Sequence, residues 1–176
     1  MPRAHLSLLS YVESVKPPWV SLLVLKGGQK PETMIRVPDG FRLVWLKGAK
    51  CRTPAGLFEE CARALRFPDY FGHNWDALEE CLADLEWLPA KGYLVVIIEA
   101  EQVLADDEEA YATFVEVLSD AAETWAAGQV EWKPEPTPFH ALLAVSAEKK
   151  SRRDHWGVPE IAGTAPRRKK AGKSGR

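Results

Sequence analysis

The sequence predicts an α/β fold: one domain built on a small three-stranded parallel sheet flanked by helices. Three observations carry this. The short runs FRLVWL (41–46), YLVVII (93–98) and FHALLAV (139–145) have the length and the apolar, β-branched character of strands. The stretches 54–65 and 107–127 between them place apolar residues at helical spacing. A helix between successive strands is the crossover that parallel pairing requires. At 176 residues and 46% hydrophobic content, the chain can bury one real core.

In order, residues 19–25 (WVSLLVL) read as a strand, 26–30 as a turn through Gly27 and Gly28, and 33–37 as a short returning strand. Residues 1–40 are thus an N-terminal extension containing a hairpin, ahead of a domain spanning 41–146. After the strand at 41–46, Pro54 opens a helix running to about Leu65, with Leu57, Phe58, Cys61 and Leu65 inward. A second helix opens at Trp75 behind Asn74, a good N-cap. The run 93–98 has no polar alternation, as expected of a strand covered on both faces at the sheet centre. The acids Asp106–Glu109 mark the start of a long helix that presents Tyr111, Phe114, Val115, Leu118 and Trp125 and stops at Gly128. The last strand follows a proline-broken loop and holds His140 as a core or edge histidine. Residues 147–176 read as a basic, disordered tail: from 148 on there are ten Lys or Arg against three acids, and only Trp156, Val158 and Ile161 are sizeable apolar groups. Such a tail is a solvated end, a tether to acidic surfaces or nucleic acid, or a segment that folds back on an acidic face.

The net charge of −2 conceals a strong polarity along the chain. Residues 1–66 carry 11 basic and 5 acidic side chains, 67–131 carry 1 and 16, and 132–176 carry 11 and 4. The middle third therefore attracts a basic partner and repels nucleic acid, whose binding requires Lys and Arg in that place. Three cysteines, 51, 61 and 81, are an odd number without CxxC spacing, so the reading is a reducing, cytoplasmic compartment and no disulfide framework. No apolar run reaches the length of about 18 residues that a membrane span needs.

The acids concentrate in FPDYFGHNWDALEECL, Phe67 to Leu82. At about 100° per residue, Trp75, Leu78, Leu82 and Leu85 fall on one stripe, and Asp76, Glu80 and the bordering Glu79 on another. One stripe packs; the other is left for water or a cationic partner. His73 with Asp76, Glu79 and Glu80 resembles a metal set, but the spacing does not bring the donors onto one face, and no second ligand cluster accompanies them. Neighbouring carboxylates on an exposed helix do not form an acid–base pair across a cleft either. Cys81 lies near the apolar side without a partner base and reads as a buried structural thiol. The reading is therefore no enzyme, no catalytic residue and no cofactor. A Tyr70–Phe71 pair in a loop through Gly72, taken as a positive-φ glycine, suits outward-facing interface anchors.

The same run closely resembles the barstar family of intracellular ribonuclease inhibitors, and the order of strands and helices from about Phe41 to Val145 is similar too. The resemblance implies a loop and acidic helix that cover the active site of a basic, extracellular-type ribonuclease. It assigns this contact to Tyr70, Phe71, Gly72, Asn74, Asp76 and Glu80, with Asp120 as a further acidic contact, and Cys81 also matches. Glu79 stands where barstar has a contacting tryptophan, and Leu85 replaces a second. Another acidic interaction module, binding a different basic protein, is the alternative.

Overall fold

The structure is a computed structural model that describes residues 7–161. Along the chain these residues form α1 (Leu8–Glu13), β1 (Val20–Leu25), α2 (Pro31–Met34), β2 (Phe41–Lys47), α3 (Pro54–Leu65), α4 (Trp75–Leu82), β3 (Gly92–Ile98), α5 (Glu108–Ala126), β4 (Phe139–Ser146) and β5 (Glu160–Ile161), with short 3-10 turns between some of them. The fold is α/β with a parallel sheet flanked by helices. The sheet, however, has five strands, in the order β2-β3-β4-β1-β5, where three were predicted.

The predicted strands 41–46, 93–98 and 139–145 are β2, β3 and β4, side by side and parallel, with pairs such as Val44↔Val95 and Val95↔Ala141. The two extra strands come from the ends of the chain. Val20–Leu25 does not turn back into a hairpin; β1 inserts beside β4, with Leu22 opposite Leu143, and is almost wholly buried. The turn after it forms as predicted, with Gly27 and Gly28 at positive φ, but 33–37 does not pair. With β4 on one side of β1 and β5 on the other, no edge is left for a returning strand. The chain instead makes the single helical turn α2 and buries Ile35 under the sheet.

The described part of the predicted tail is likewise ordered. Residues 147–152 form 3-10 turns, and β5 pairs with β1 at Leu22↔Glu160 and Leu23↔Ile161. Composition misleads here because each of the few useful groups is spent on a surface that the domain already offers. Trp156 is buried against Tyr111, whose hydroxyl donates to the Trp156 carbonyl (2.7 Å). Arg153 is buried with its guanidinium 3.7 Å from the centre of the Tyr111 ring, and it donates to Glu108 at 2.8 Å and to the Val103 carbonyl. The rest of the tail, 162–176, lies outside the described residues.

The two faces of the sheet are covered differently. Helices α3, α4 and α5 pack on one face through Leu57, Leu65, Leu78, Leu82, Phe114 and Trp125 against Tyr93, Val95 and Ile97. The other face, with Leu23, Leu94, Val96 and Leu142, has a thinner cover among the described residues: Tyr11 and Val12 of α1 and Ile35, with Leu8 and Val37 partly buried beside them. His140 is buried on that thinner side, with its ring 4.3 Å from Tyr11 and Nε2 donating to the Ser14 carbonyl at 2.6 Å. Cys51, Cys61 and Cys81 are free and buried.

Candidate functional site

The acidic helix is placed from beneath by aromatic packing. Phe71 is buried, 4.8 Å from Phe67 and 6.4 Å from Phe58 between ring centres, and Phe58 also meets Trp75 edge-on at 5.0 Å. Trp87 closes the cluster against Phe67 and donates its indole N–H to the Leu65 carbonyl at 2.9 Å. On this support the loop 67–74 turns tightly: the Phe71 N–H reaches the Pro68 carbonyl at 3.0 Å. The left-handed residue of the loop is His73, at φ 52°, and not Gly72 as the sequence suggested. The His73 ring bonds the Phe71 carbonyl through Nδ1 at 3.0 Å, so a local hydrogen bond offsets part of the strain. A side-chain carbon at Gly72 would sit a tight 3.1 Å from the Asn74 amide nitrogen and press on the cap.

Asn74 then caps α4. Its Oδ1 accepts from the Ala77 N–H at 2.8 Å, and its Nδ2 donates back to the Gly72 carbonyl at 3.2 Å. Loop and helix start are thereby one unit. From this cap the two predicted stripes separate as expected: Leu78, Cys81 and Leu82 are buried, whereas Asp76, Glu79 and Glu80 are exposed. The Cys81 thiol is pushed up to about 11 by burial first and by Asp84 and Glu80 after that, so at neutral pH it stays protonated.

The two predicted anchors part company. Tyr70 is 73% exposed and Phe71 is 5% exposed, so Tyr70 faces solvent while Phe71 supports the loop from inside. Tyr70, Glu80 and Asp84 meet on a shallow groove floored by Ala77 and Cys81. Desolvation first, and then the charges of Asp84 and Glu86, raise the Tyr70 phenol above its ordinary value. Asp84 escaped the sequence reading, although it continues the row Asp76, Glu80 at the same spacing of four. The helix ends at Leu82, and Asp84 sits half-buried in the turn after it, its carbonyl held by the Trp132 indole at 2.6 Å. Asp120 is exposed on α5, one turn before Thr124, which lines a second groove shared with Asp84 and Glu131.

Some acids elsewhere find cations inside the chain. Asp106 pairs with Arg52, Glu108 with Arg153 and Glu60 with Arg63. Among the described residues, Asp76, Glu79, Glu80 and Asp120 are in no ion pair. Also among the described residues, no group of three His, Cys, Asp or Glu side chains is placed to hold a metal, and no helix is long and apolar enough to cross a membrane.

No curated protein matches the chain. Among protein families, residues 41–144 match the one described as barstar (barnase inhibitor). The match takes in β2, β3, the capped acidic helix with its loop, and all of α5, more than half of the sequence, and the chain belongs to the barstar family.

Proposed function

We propose that this chain is a cytoplasmic inhibitor that blocks a microbial, barnase-like guanyl-type ribonuclease by inserting α4 and the loop before it into the enzyme's active site. The observation that carries this reading is the pair Asp76 and Glu80, exposed on a rigidly supported helix and in no ion pair among the described residues, with the half-buried Asp84 in the turn that follows. A ribonuclease must hold cationic and hydrogen-bonding groups ready for RNA phosphate, and the pair offers carboxylates in place of that phosphate. Asp76 and Glu80 enter the phosphate-binding centre, Tyr70 contacts its rim, and Glu79 and Asp120 form peripheral ion pairs. Gly72, Asn74 and Phe71 act beneath them by holding the loop in shape. Opposed charge raises the association rate, and desolvation of the central pairs slows dissociation. The family is one of inhibitors, and the proposed action is binding without catalysis or cofactor.

Titration of the purified chain against a guanyl-type ribonuclease hydrolysing RNA tests this, with one-to-one loss of activity expected. Glu80→Ala should weaken the complex by roughly 2–5 kcal/mol, a magnitude borrowed from barnase–barstar and similar desolvated charge pairs. Glu13→Ala, at an exposed residue of α1 on the opposite face of the sheet, should change nothing. Equal effects of the two substitutions would remove the acidic plug. An uninhibited ribonuclease would favour the alternative, an acidic module for another basic protein.

A further inference from the structure

The carboxyl edge of the sheet holds a second candidate site, on the face turned away from α4. Side chains alternate along strands, and the register of Lys47 with Ile98 and of Leu25 with Ser146 brings these four onto that face at the ends of β2, β3, β1 and β4. They floor a cleft of about 390 Å³, within the range of small-ligand sites, walled by Pro31 of α2. The cleft also lies where the chain's path reverses. From the end of β1 the chain leaves over the thin face through α2 towards β2, whereas from the end of the neighbouring β4 it leaves towards β5, burying Trp156 among the residues of the opposite face. Open α/β sheets take small ligands at such switch points.

The head of the cleft carries Glu101, and its state is unusual. Glu101 is 5% exposed, and neither carboxylate oxygen has a hydrogen-bond partner among the described residues. Lys149 is the nearest cation, with Nζ 3.6 Å from Oε1, beyond hydrogen-bond reach. A buried carboxylate without donors is costly, and a fold retains one where something else supplies the donor. The turn that holds it is strained as well, entered through Glu99 in the left-handed region at φ 50° and ψ 46°. Gly48 makes room for this turn, since a side-chain carbon there would lie 2.1 Å from the Glu99 carbonyl oxygen. Lys47, at the end of β2, is exposed and in no ion pair among the described residues. Glu32 and Glu99 line the rim and keep the cleft from being purely cationic.

We propose that this cleft binds a small zwitterion of the amino-acid type, with its ammonium on Glu101, its carboxylate between Lys47 and Lys149, and an apolar side chain over Leu25, Pro31 and Ile98. The ammonium supplies the donors that Glu101 lacks, and the apolar floor excludes ligands that are polar throughout. The site is separate from the acidic helix and does not depend on ribonuclease binding.

Calorimetric titration of the full chain with L-leucine tests it, alongside 4-methylpentanoate, which lacks the ammonium, and 3-methylbutylamine, which lacks the carboxylate. Leucine should bind saturably with a dissociation constant on the order of 1 mM or below, and each analogue should bind at least about tenfold more weakly. Glu101→Gln should weaken leucine at least about tenfold, and Lys47→Ala, an exposed change that leaves folding intact, should do the same if the first variant folds poorly. Absence of saturation by leucine at on the order of 10 mM, or unchanged binding in the variants, overturns the proposal and leaves Glu101 and Lys149 as an internal ion pair.

Discussion

Trp125, fully buried on α5, donates its indole N–H across 2.8 Å to the main-chain carbonyl of Leu82, the last residue of α4. The carbonyls at a helix end have no partner within the helix, and α4, with eight residues, is too short to persist on its own. The acidic helix is thus held at both ends, by the local Asn74 cap at its start and by the tertiary contacts of Trp125 and, through Asp84, the Trp132 indole at its finish.

Trp125→Phe keeps most of the packing against Tyr93 but removes the only donor that the Leu82 carbonyl has from a side chain among the described residues. Stability should fall by roughly 1–3 kcal/mol for the unpaired buried carbonyl, plus the packing lost with the smaller ring. Urea unfolding should show a lower midpoint with an unchanged slope. An unmoved midpoint would mean that the indole contributes shape alone.

Tyr70 and Phe71 should separate binding from folding. Tyr70→Ala, at an exposed position, should leave stability within about 0.5 kcal/mol of the parent yet weaken ribonuclease binding by 1 kcal/mol or more, roughly the loss typical of a truncated aromatic anchor. Phe71→Ala should cost about 3–5 kcal/mol of stability through the cavity left among Phe58, Phe67 and His73. Thermal melts and ribonuclease titrations on both variants check this, and the reverse pattern would return Phe71 to the interface.

How far the chain could be read depends on where each element finds its partner. α3 and α4 follow from local signals, since Thr53 and Asn74 cap their starts through their own side chains and the apolar spacing sets the buried faces. β3 and β4 follow from apolar runs, because strands covered on both faces need no alternation, whereas the edge strand β2 is only partly buried and was legible from its short apolar run. β1 was legible as a strand, but its place between β4 and β5 was not, for nothing in WVSLLVL distinguishes a strand that turns back from one that pairs with a segment more than a hundred residues away. The tail misled for the related reason that Arg153 and Trp156 gain their stability from Tyr111, Val103 and Glu108, none of them local. In the site, the exposure of Asp76, Glu79 and Glu80 was periodic and therefore readable. The inward turn of Phe71 and the positive φ at His73 arise from packing under the loop and were not.

His140 makes the fold sensitive to mild acid. Burial lowers its pKa below the ordinary 6.5, only partly opposed by the hydrogen bond to the Ser14 carbonyl. The unfolded chain therefore binds a proton that the native ring resists. Stability is complete above about pH 6.5 and declines as the pH falls below it, until the native ring also titrates. Replacing His140 with Gln should lower stability at pH 7 but flatten its dependence between about pH 5 and 7, as followed by chemical unfolding across that range. An undiminished slope in the variant would place the acid sensitivity in other groups.

Two truncations separate structural from electrostatic roles at the carboxyl end. Removing residues 147–176 takes away Arg153, Trp156 and β5, and with them the cover over Tyr111 and the outer neighbour of β1, so the melting temperature should fall sharply. Removing only 162–176 deletes Arg167, Arg168, Lys169, Lys170, Lys173 and Arg176 without any acid, which shifts the net charge from −2 to −8. That change strengthens the attraction of a basic ribonuclease to the ridge of Asp76 and Glu80, and its effect belongs to the association rate more than to dissociation. The shorter chain should associate faster at about 0.01 M salt, where charges interact over roughly 30 Å, and the difference should vanish near 1 M, where the range is about 3 Å. Stopped-flow mixing at the two ionic strengths reads both rates. Equal rates at low salt would show that the terminal charges do not act on the encounter, and a rate that drops on truncation would assign them a direct contact with the partner.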